Sequence, residues 1–267
     1  ALKSRWLGVV FAAALIATYA GGFNMLASFN LIDSMSGYSF YGDPQTSLVP
    51  LVGGGLLAVL VAVCVLGGGR RIVRITGLLV PFMGVTYILM ALVVMALNFQ
   101  MLPQVFGRII AGAFDFRAIF GGFAGSALME GIKRGLYSNE AGVGSAPNAA
   151  ASAHVSHPAK QGLVQMLSVF LDTLVICSAT AFMLLCSGVE PAVELQGAPY
   201  VQSALAASFG TLGPVFITVA MVLFAFTTLI GNLYYVDNCL NYIVGKIPAK
   251  EFMVLFRIDA MVLIFIG

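Results

Sequence analysis

Long apolar runs alternate with short polar connections along the whole chain. The runs cover residues 6–31, 48–66, 75–97, 118–153, 162–186 and 212–243, and a seventh starts near Phe252. A mixed stretch, 98–116, separates the third run from the fourth, and 200–209 reads as a short helix leading into the sixth. The runs are too long for strands and show no strict alternation, which predicts helices. Each reaches roughly the 20 residues that one bilayer crossing needs. Barrel strands would be about ten residues long with alternating polarity, and no such pattern occurs.

Composition sharpens this picture. Hydrophobic residues make up 60% of the chain and charged residues only 9%, against roughly a quarter charged in soluble domains. So few charges cannot clothe a soluble domain of this size, so lipid is expected to cover the outside. The expected class is an all-α, polytopic membrane helix bundle with about seven transmembrane segments. The net charge of +2 gives no argument for nucleic acid. The chain begins at Ala1 and stops inside an apolar run. It is therefore expected to be a fragment, residues 1–267 forming one transmembrane domain that lacks N-terminal helices and a C-terminal end.

The few charges give an orientation. Lys3 and Arg5 precede the first run, while the next connection carries Asp33 and Asp43. Arg70, Arg71 and Arg74 follow the second run. His154, His157 and Lys160 follow the fourth, Glu190 and Glu194 the fifth, and Lys246, Lys250 and Arg257 the sixth. Basic and acidic ends alternate, as the positive-inside rule requires, which places Ala1 on the cytoplasmic side of a plasma (inner) membrane. Arg108 and Arg117 fall on the expected outer side, and 98–116 reads as an amphipathic helix lying at the interface.

The fourth run carries the candidate chemistry. Lys133, Arg134, Asn139 and Glu140 are costly in lipid, and Gly142, Gly144 and Pro147 weaken a continuous helix. Together they predict a broken helix, with Ser145 as N-cap of its second half. A break at membrane depth is tolerable only against protein or a hydrated cavity. There, free N–H groups suit a carboxylate and free carbonyls suit a cation. The alternative is a polar loop between two short hairpins.

Other polar residues sit inside apolar runs. Asp172 and Thr173 lie mid-run in the fifth, where an ionisable group acts as cation ligand, proton carrier or ion-pair partner; structural pairing with Lys133 or Arg134 is the alternative. Thr227 and Thr228 lie mid-run in the sixth. Their hydroxyls are hard ligands, and the Phe224 carbonyl is i−3 and i−4 from them, so the three oxygens can share one face. The bland alternative is a threonine hydroxyl bonded back to its own helix. Asp237 and Asn238 are expected near the cytoplasmic mouth, and Asn24 is deep enough to line a cavity. Cys64, Cys177, Cys186 and Cys239 have no ligand spacing and read as packing residues. His154 and His157 have no further ligand nearby. Gly67-Gly68-Gly69-Arg70 lacks the ending of a phosphate-binding loop. No nucleophile–base set is placed for catalysis, so no enzyme is expected.

The run Gly135-Leu136-Tyr137-Ser138-Asn139-Glu140-Ala141-Gly142-Val143-Gly144-Ser145-Ala146-Pro147-Asn148-Ala149-Ala150 resembles the signature of the alanine or glycine:cation symporter family. So does Gln161-Gly162-Leu163-Val164-Gln165-Met166 followed by Phe170-Leu171-Asp172-Thr173-Leu174-Val175-Ile176-Cys177. The resemblance spans nearly the whole chain. It implies the leucine-transporter (LeuT-like) class of folds, with two inverted five-helix repeats. By that resemblance the fourth run opens the second repeat and is broken at the substrate. Substrate contacts are then expected from Ser138, Asn139, Glu140, Gly142, Gly144 and Ser145, with Asn24. Sodium is expected at Phe224, Thr227 and Thr228, with Asp172 and Thr173 as further candidates. The implied activity is sodium-coupled symport of alanine or glycine by alternating access, with sodium as coupling ion and no cofactor. Proton coupling through Asp172 or Glu140, and a channel or non-transporting sensor on the same bundle, are the alternatives. Family members often carry Gln in the stretch that here reads Phe23-Asn24-Met25-Leu26-Ala27-Ser28-Phe29, and this chain has none there.

Overall fold

A computed structural model describes residues 4–43, 46–115, 127–140, 142–192, 195–245 and 249–267. Lys3, Arg117, Ala141, Glu194 and Lys246, and the first part of the fourth run, lie outside these residues. Every regular element among the described residues is helical. The first run is a continuous rod of α1 (Arg5–Ile16), a π-helical turn (Ala17–Gly22) and α2 (Phe23–Asp33). Then come α3 (Val49–Leu66), with Pro50 in its first turn where a missing N–H costs nothing, and α4 (Gly69–Leu97). Helix α4 starts six residues before the expected 75, because Arg70, Arg71 and Arg74 are good helix formers and extend it. A 3-10 turn (Phe99–Met101) leads into α5 (Leu102–Ala113).

The interrupted run holds α6 (Ala127–Asn139) and, after a break, α7 (Ser145–Ala150). Next are α8 (Pro158–Phe170), a second π-helical turn (Leu171–Cys177) and α9 (Ser178–Cys186). The chain closes with α10 (Gly197–Phe209), α11 (Leu212–Val244) and α12 (Lys250–Ile266). Among the described residues, five helical rods are long and apolar enough to cross a membrane: Arg5–Asp33, Val49–Leu66, Gly69–Leu97, Pro158–Cys186 and Leu212–Val244. The other two expected crossings correspond, among the described residues, to the broken α6–α7 pair and to α12. Large apolar side chains such as Leu56, Val59, Leu78 and Leu163 stand well exposed on these rods, as lipid-facing positions do.

The chain divides into two compact units. The first comprises Ala1–Met83, Leu195–Pro199 and Val215–Gly267. Its larger core joins Leu57, Val61 and Cys64 of α3 to Leu229, Ile230 and Leu233 of α11 and to Ala260 and Ile264 of α12. A second core packs Ala12, Leu15 and Tyr19 against Val236, Cys239 and Leu240. Gly8 permits close approach of α1 to α11, since a Cβ on it would meet the Tyr242 hydroxyl.

The second unit comprises Gly84–Glu194 and Tyr200–Pro214. In it the end of α6 rests on the second π-helical turn, α7 on α8, and α5 on α9. Helix α5 buries Val105 and leaves Phe106, Ile109 and Ile110 exposed. The Phe106 and Phe182 rings meet at 5.2 Å, and Arg108 pairs with Glu190 at 3.0 Å.

Candidate functional site

The break between α6 and α7 is built from backbone that few residues adopt. Gly142 and Gly144 have φ of 84° and 99°, and Glu140 has φ of 54°, the only left-handed non-glycine residue among those described. A left-handed glutamate is uncommon, and such strain persists only where surrounding contacts hold it. Here the Ser145 hydroxyl donates to the Glu140 carboxylate. Ser145 is fully buried. It is not the N-cap that its sequence position suggests: Gly144 occupies the cap and Ser145 is the first helical residue. The positive φ needed at the cap suits glycine, and the serine hydroxyl turns to the glutamate instead.

Facing the last turn of α6 is the π-helical turn of the fifth run. The Ser138 hydroxyl donates to the Asp172 carboxylate at 2.6 Å and lies 3.1 Å from the Cys177 sulfur. The Asn139 amide donates to the Thr173 hydroxyl at 2.8 Å. These contacts bring Ser138, Asn139, Asp172 and Thr173 together, with Glu140 and Ser145 following at the break. The alternative pairing of Asp172 with Lys133 is not what forms, since Lys133 pairs with Glu130 at 3.1 Å. Sequence reasoning missed Cys177 as a neighbour of this cluster. It missed both π-helical turns as well, features that are frequent at functional sites. Small residues at 17–22 were a weak signal for the first; nothing in 171–177 announced the second.

The remaining candidates belong to the other unit. On α11, the Thr227 hydroxyl bonds back to the carbonyls of Leu223 (2.9 Å) and Phe224 (3.1 Å). The back-bonded alternative therefore holds for Thr227, and it still brings two of the three expected oxygens to within contact of each other. Thr227 is buried and Thr228 is exposed. Asn24 on α2 is wholly buried and accepts, through Oδ1, a hydrogen bond of 3.0 Å from Asn232 of α11. Its own Nδ2 has no partner, and neither does the buried Ser28 hydroxyl one turn along.

Asp237 is largely buried and paired with Arg257 of α12 at 2.6 Å. His157 works locally: its Nδ1 accepts from the Ala159 amide at 3.1 Å and caps α8. Among the described residues, no group of three or more His, Cys, Asp or Glu side chains could hold a metal ion.

Comparison with known proteins adds an independent line. A family model described as the sodium:alanine symporter family matches residues 1–267. The amino-acid carrier protein AlsT of Bacillus subtilis is 40% identical over 266 residues, covering 100% of this chain and 55% of the relative. The sodium/alanine symporter AgcS of Methanococcus maripaludis is 39% identical over 260 residues, covering 95% of this chain and 55% of the relative. A putative sodium/proton-dependent alanine carrier protein, YrbD of Bacillus subtilis, is 34% identical over 281 residues, covering 100% of this chain and 56% of the relative. The chain thus spans about half the length of the curated relatives it matches.

Proposed function

The chain belongs to the sodium:alanine symporter family, and from that premise we propose that it forms one transmembrane transporter domain performing sodium-coupled symport of alanine or glycine. Family members are transporters and not enzymes. The observation that carries the reading is the paired contact of Ser138 with Asp172 and Asn139 with Thr173 beside the broken helix. It concentrates a carboxylate, an amide and two hydroxyls where the backbone leaves helical geometry. The break offers polar main-chain groups for a zwitterion.

In this reading the protein adopts the inverted-repeat leucine-transporter architecture in the inner membrane, with Ala1 cytoplasmic. Sodium is held at Phe224, Thr227 and Thr228, or at Asp172 and Thr173. Ser138, Asn139, Glu140, Gly142, Gly144 and Ser145 contact the amino acid, and Asn24 is a separate candidate contact in the other unit. Sodium binding organises the site, the amino acid joins it, and the protein then opens to the other side. The membrane potential contributes about 2.3 kcal/mol per 100 mV for each charge carried inward.

The test is uptake of labelled alanine and glycine into proteoliposomes containing the full-length protein. Uptake requires an inward sodium gradient; equal uptake without sodium at fixed pH would defeat the proposal. One observation supports a second reading. Asp172 is an ionisable group inside an apolar run and accepts a hydrogen bond from Ser138, which makes it the candidate proton carrier; the YrbD relative is named a putative sodium/proton-dependent alanine carrier protein. Uptake driven by a pH gradient in sodium-free buffer would select it.

A further inference from the structure

We propose that the cavity between α2, α3 and α12, in the first compact unit, is a binding site for a monovalent cation, separate from the residues assigned above to sodium. The cavity holds about 470 Å³. Ser28, Asp33, Tyr41 and Ser47 supply its polar lining, and Leu51 and Phe265 are among its apolar walls.

Three observations point to a cation. Ser28 is 1% exposed and its hydroxyl has no hydrogen-bond partner. A buried polar group left unsatisfied calls for an unseen partner, such as a water, an ion or a ligand. Asp33 joins no ion pair among the described residues, and no Lys, Arg or His occurs anywhere from Trp6 to Gly69. The two helices and the connection that supply most of the lining therefore bring a carboxylate and no counter-charge. Finally, Asp33 is the last residue of α2. The helix dipole places partial negative charge at that end, where a second negative charge is unfavourable and a cation is favourable.

Carboxylate and hydroxyl oxygens make a hard-ligand set for an alkali ion. The same set would hydrogen-bond the protonated amine of an amino acid, and the cavity is roomy enough for either. The site needs no transport to be detected, so its test is independent of the symport reading.

The experiment uses the purified full-length protein carrying Ser47→Cys, with Tyr41→Cys as a second probe position. Modification at the new cysteine is followed by peptide mass. Reagents are a cationic and an anionic methanethiosulfonate, each rate divided by its rate with a free thiol. The cationic reagent reacts faster by roughly tenfold, the effect of one unit charge several ångströms away in a partly hydrated site. Adding Asp33→Asn abolishes that preference. Sodium slows modification relative to choline at equal ionic strength if the ligand is the metal ion; alanine in choline buffer slows it if the ligand is an ammonium group. In either case the slowing disappears with Asp33→Asn. Equal rates for the two reagents, or a preference that survives Asp33→Asn, would overturn the proposal, as would protection by neither sodium nor alanine. These outcomes leave sodium-driven uptake untouched.

Discussion

Ser138 and Asp172 meet hydroxyl to carboxylate at 2.6 Å, and their immediate successors, Asn139 and Thr173, meet at 2.8 Å. Consecutive side chains on a regular helix diverge by about 100°, so two helices seldom pair neighbours with neighbours. Here one partner pair sits on the final turn of α6 and the other on a π-helical turn. Ser138 and Asn139 end a regular α-helix, and the departure from α-helical geometry lies on the facing side, in the π-helical turn. The geometry of the break is thus matched by a local distortion in the helix opposite.

Asp172→Asn preserves shape and removes the charge. If Asp172 ligates or balances sodium, the sodium concentration for half-maximal alanine uptake rises at least about tenfold, the equivalent of roughly 1.4 kcal/mol. Ser138→Ala has a smaller effect, and the double variant is no worse than Asp172→Asn alone, because both changes act on one contact. If Asp172 carries a proton instead, Asp172→Asn flattens the pH dependence and leaves the sodium dependence alone.

On α11 the two adjacent threonines sit in different surroundings. Thr227 is buried with its hydroxyl on the Leu223 and Phe224 carbonyls, whereas Thr228 is exposed. Thr228→Ala is expected to leave thermal stability within about 0.5 kcal/mol, as for surface changes, and to weaken the sodium dependence of uptake. Thr227→Val keeps the volume and loses only the hydroxyl, so it weakens sodium dependence as well. Unchanged sodium dependence in both would remove α11 from the ion site.

The helices were legible because lipid demands long apolar runs, and four of the five spanning rods found among the described residues both start and end within four residues of the runs. The broken helix was legible too, since Gly142, Gly144 and Pro147 interrupt an apolar segment at a polar cluster. What escaped depended on three-dimensional pairing. Ser145 looked like a cap until its hydroxyl found Glu140. Asp237 looked like a residue at a solvated mouth until Arg257 was brought against it. Neither partner is signalled by spacing, because the first bond needs a left-handed glutamate and the second joins different helices.

Asn24 and Asn232 form a buried amide pair in which one amide nitrogen stays unsatisfied. Asn232→Leu orphans the Asn24 carbonyl as well and should cost about 1–3 kcal/mol, read as a lower thermal unfolding temperature in detergent. Replacing both by Leu removes the polar groups together and recovers most of that stability. If Asn24 contacts the amino acid, the double variant stays folded but does not transport. Wild-type uptake by a stable double variant would exclude Asn24 from the substrate site.

His157 caps α8 through Nδ1. His157→Ala loses that acceptor and should destabilise by about 1 kcal/mol, as other caps do. His157→Asp restores an acceptor and adds a negative charge at the helix N-terminus, where it is favourable. The unfolding temperature should therefore fall in the first variant and recover in the second. A metal role for this histidine would instead make the aspartate variant as defective as the alanine one.

The Asp237–Arg257 pair ties α11 to α12 at 2.6 Å with both side chains less than one fifth exposed. Taking either charge away leaves the other buried among helices and uncompensated, at a cost of about 3–5 kcal/mol. Asp237→Asn and Arg257→Gln should each lower the yield of folded protein and its unfolding temperature. The exchange Asp237→Arg with Arg257→Asp restores opposite charges across the same contact, so it should recover much of the loss. A purely structural clamp predicts that transport recovers in step with stability. If stability returns while transport does not, the direction of the pair matters, and Asp237 itself serves the transport cycle.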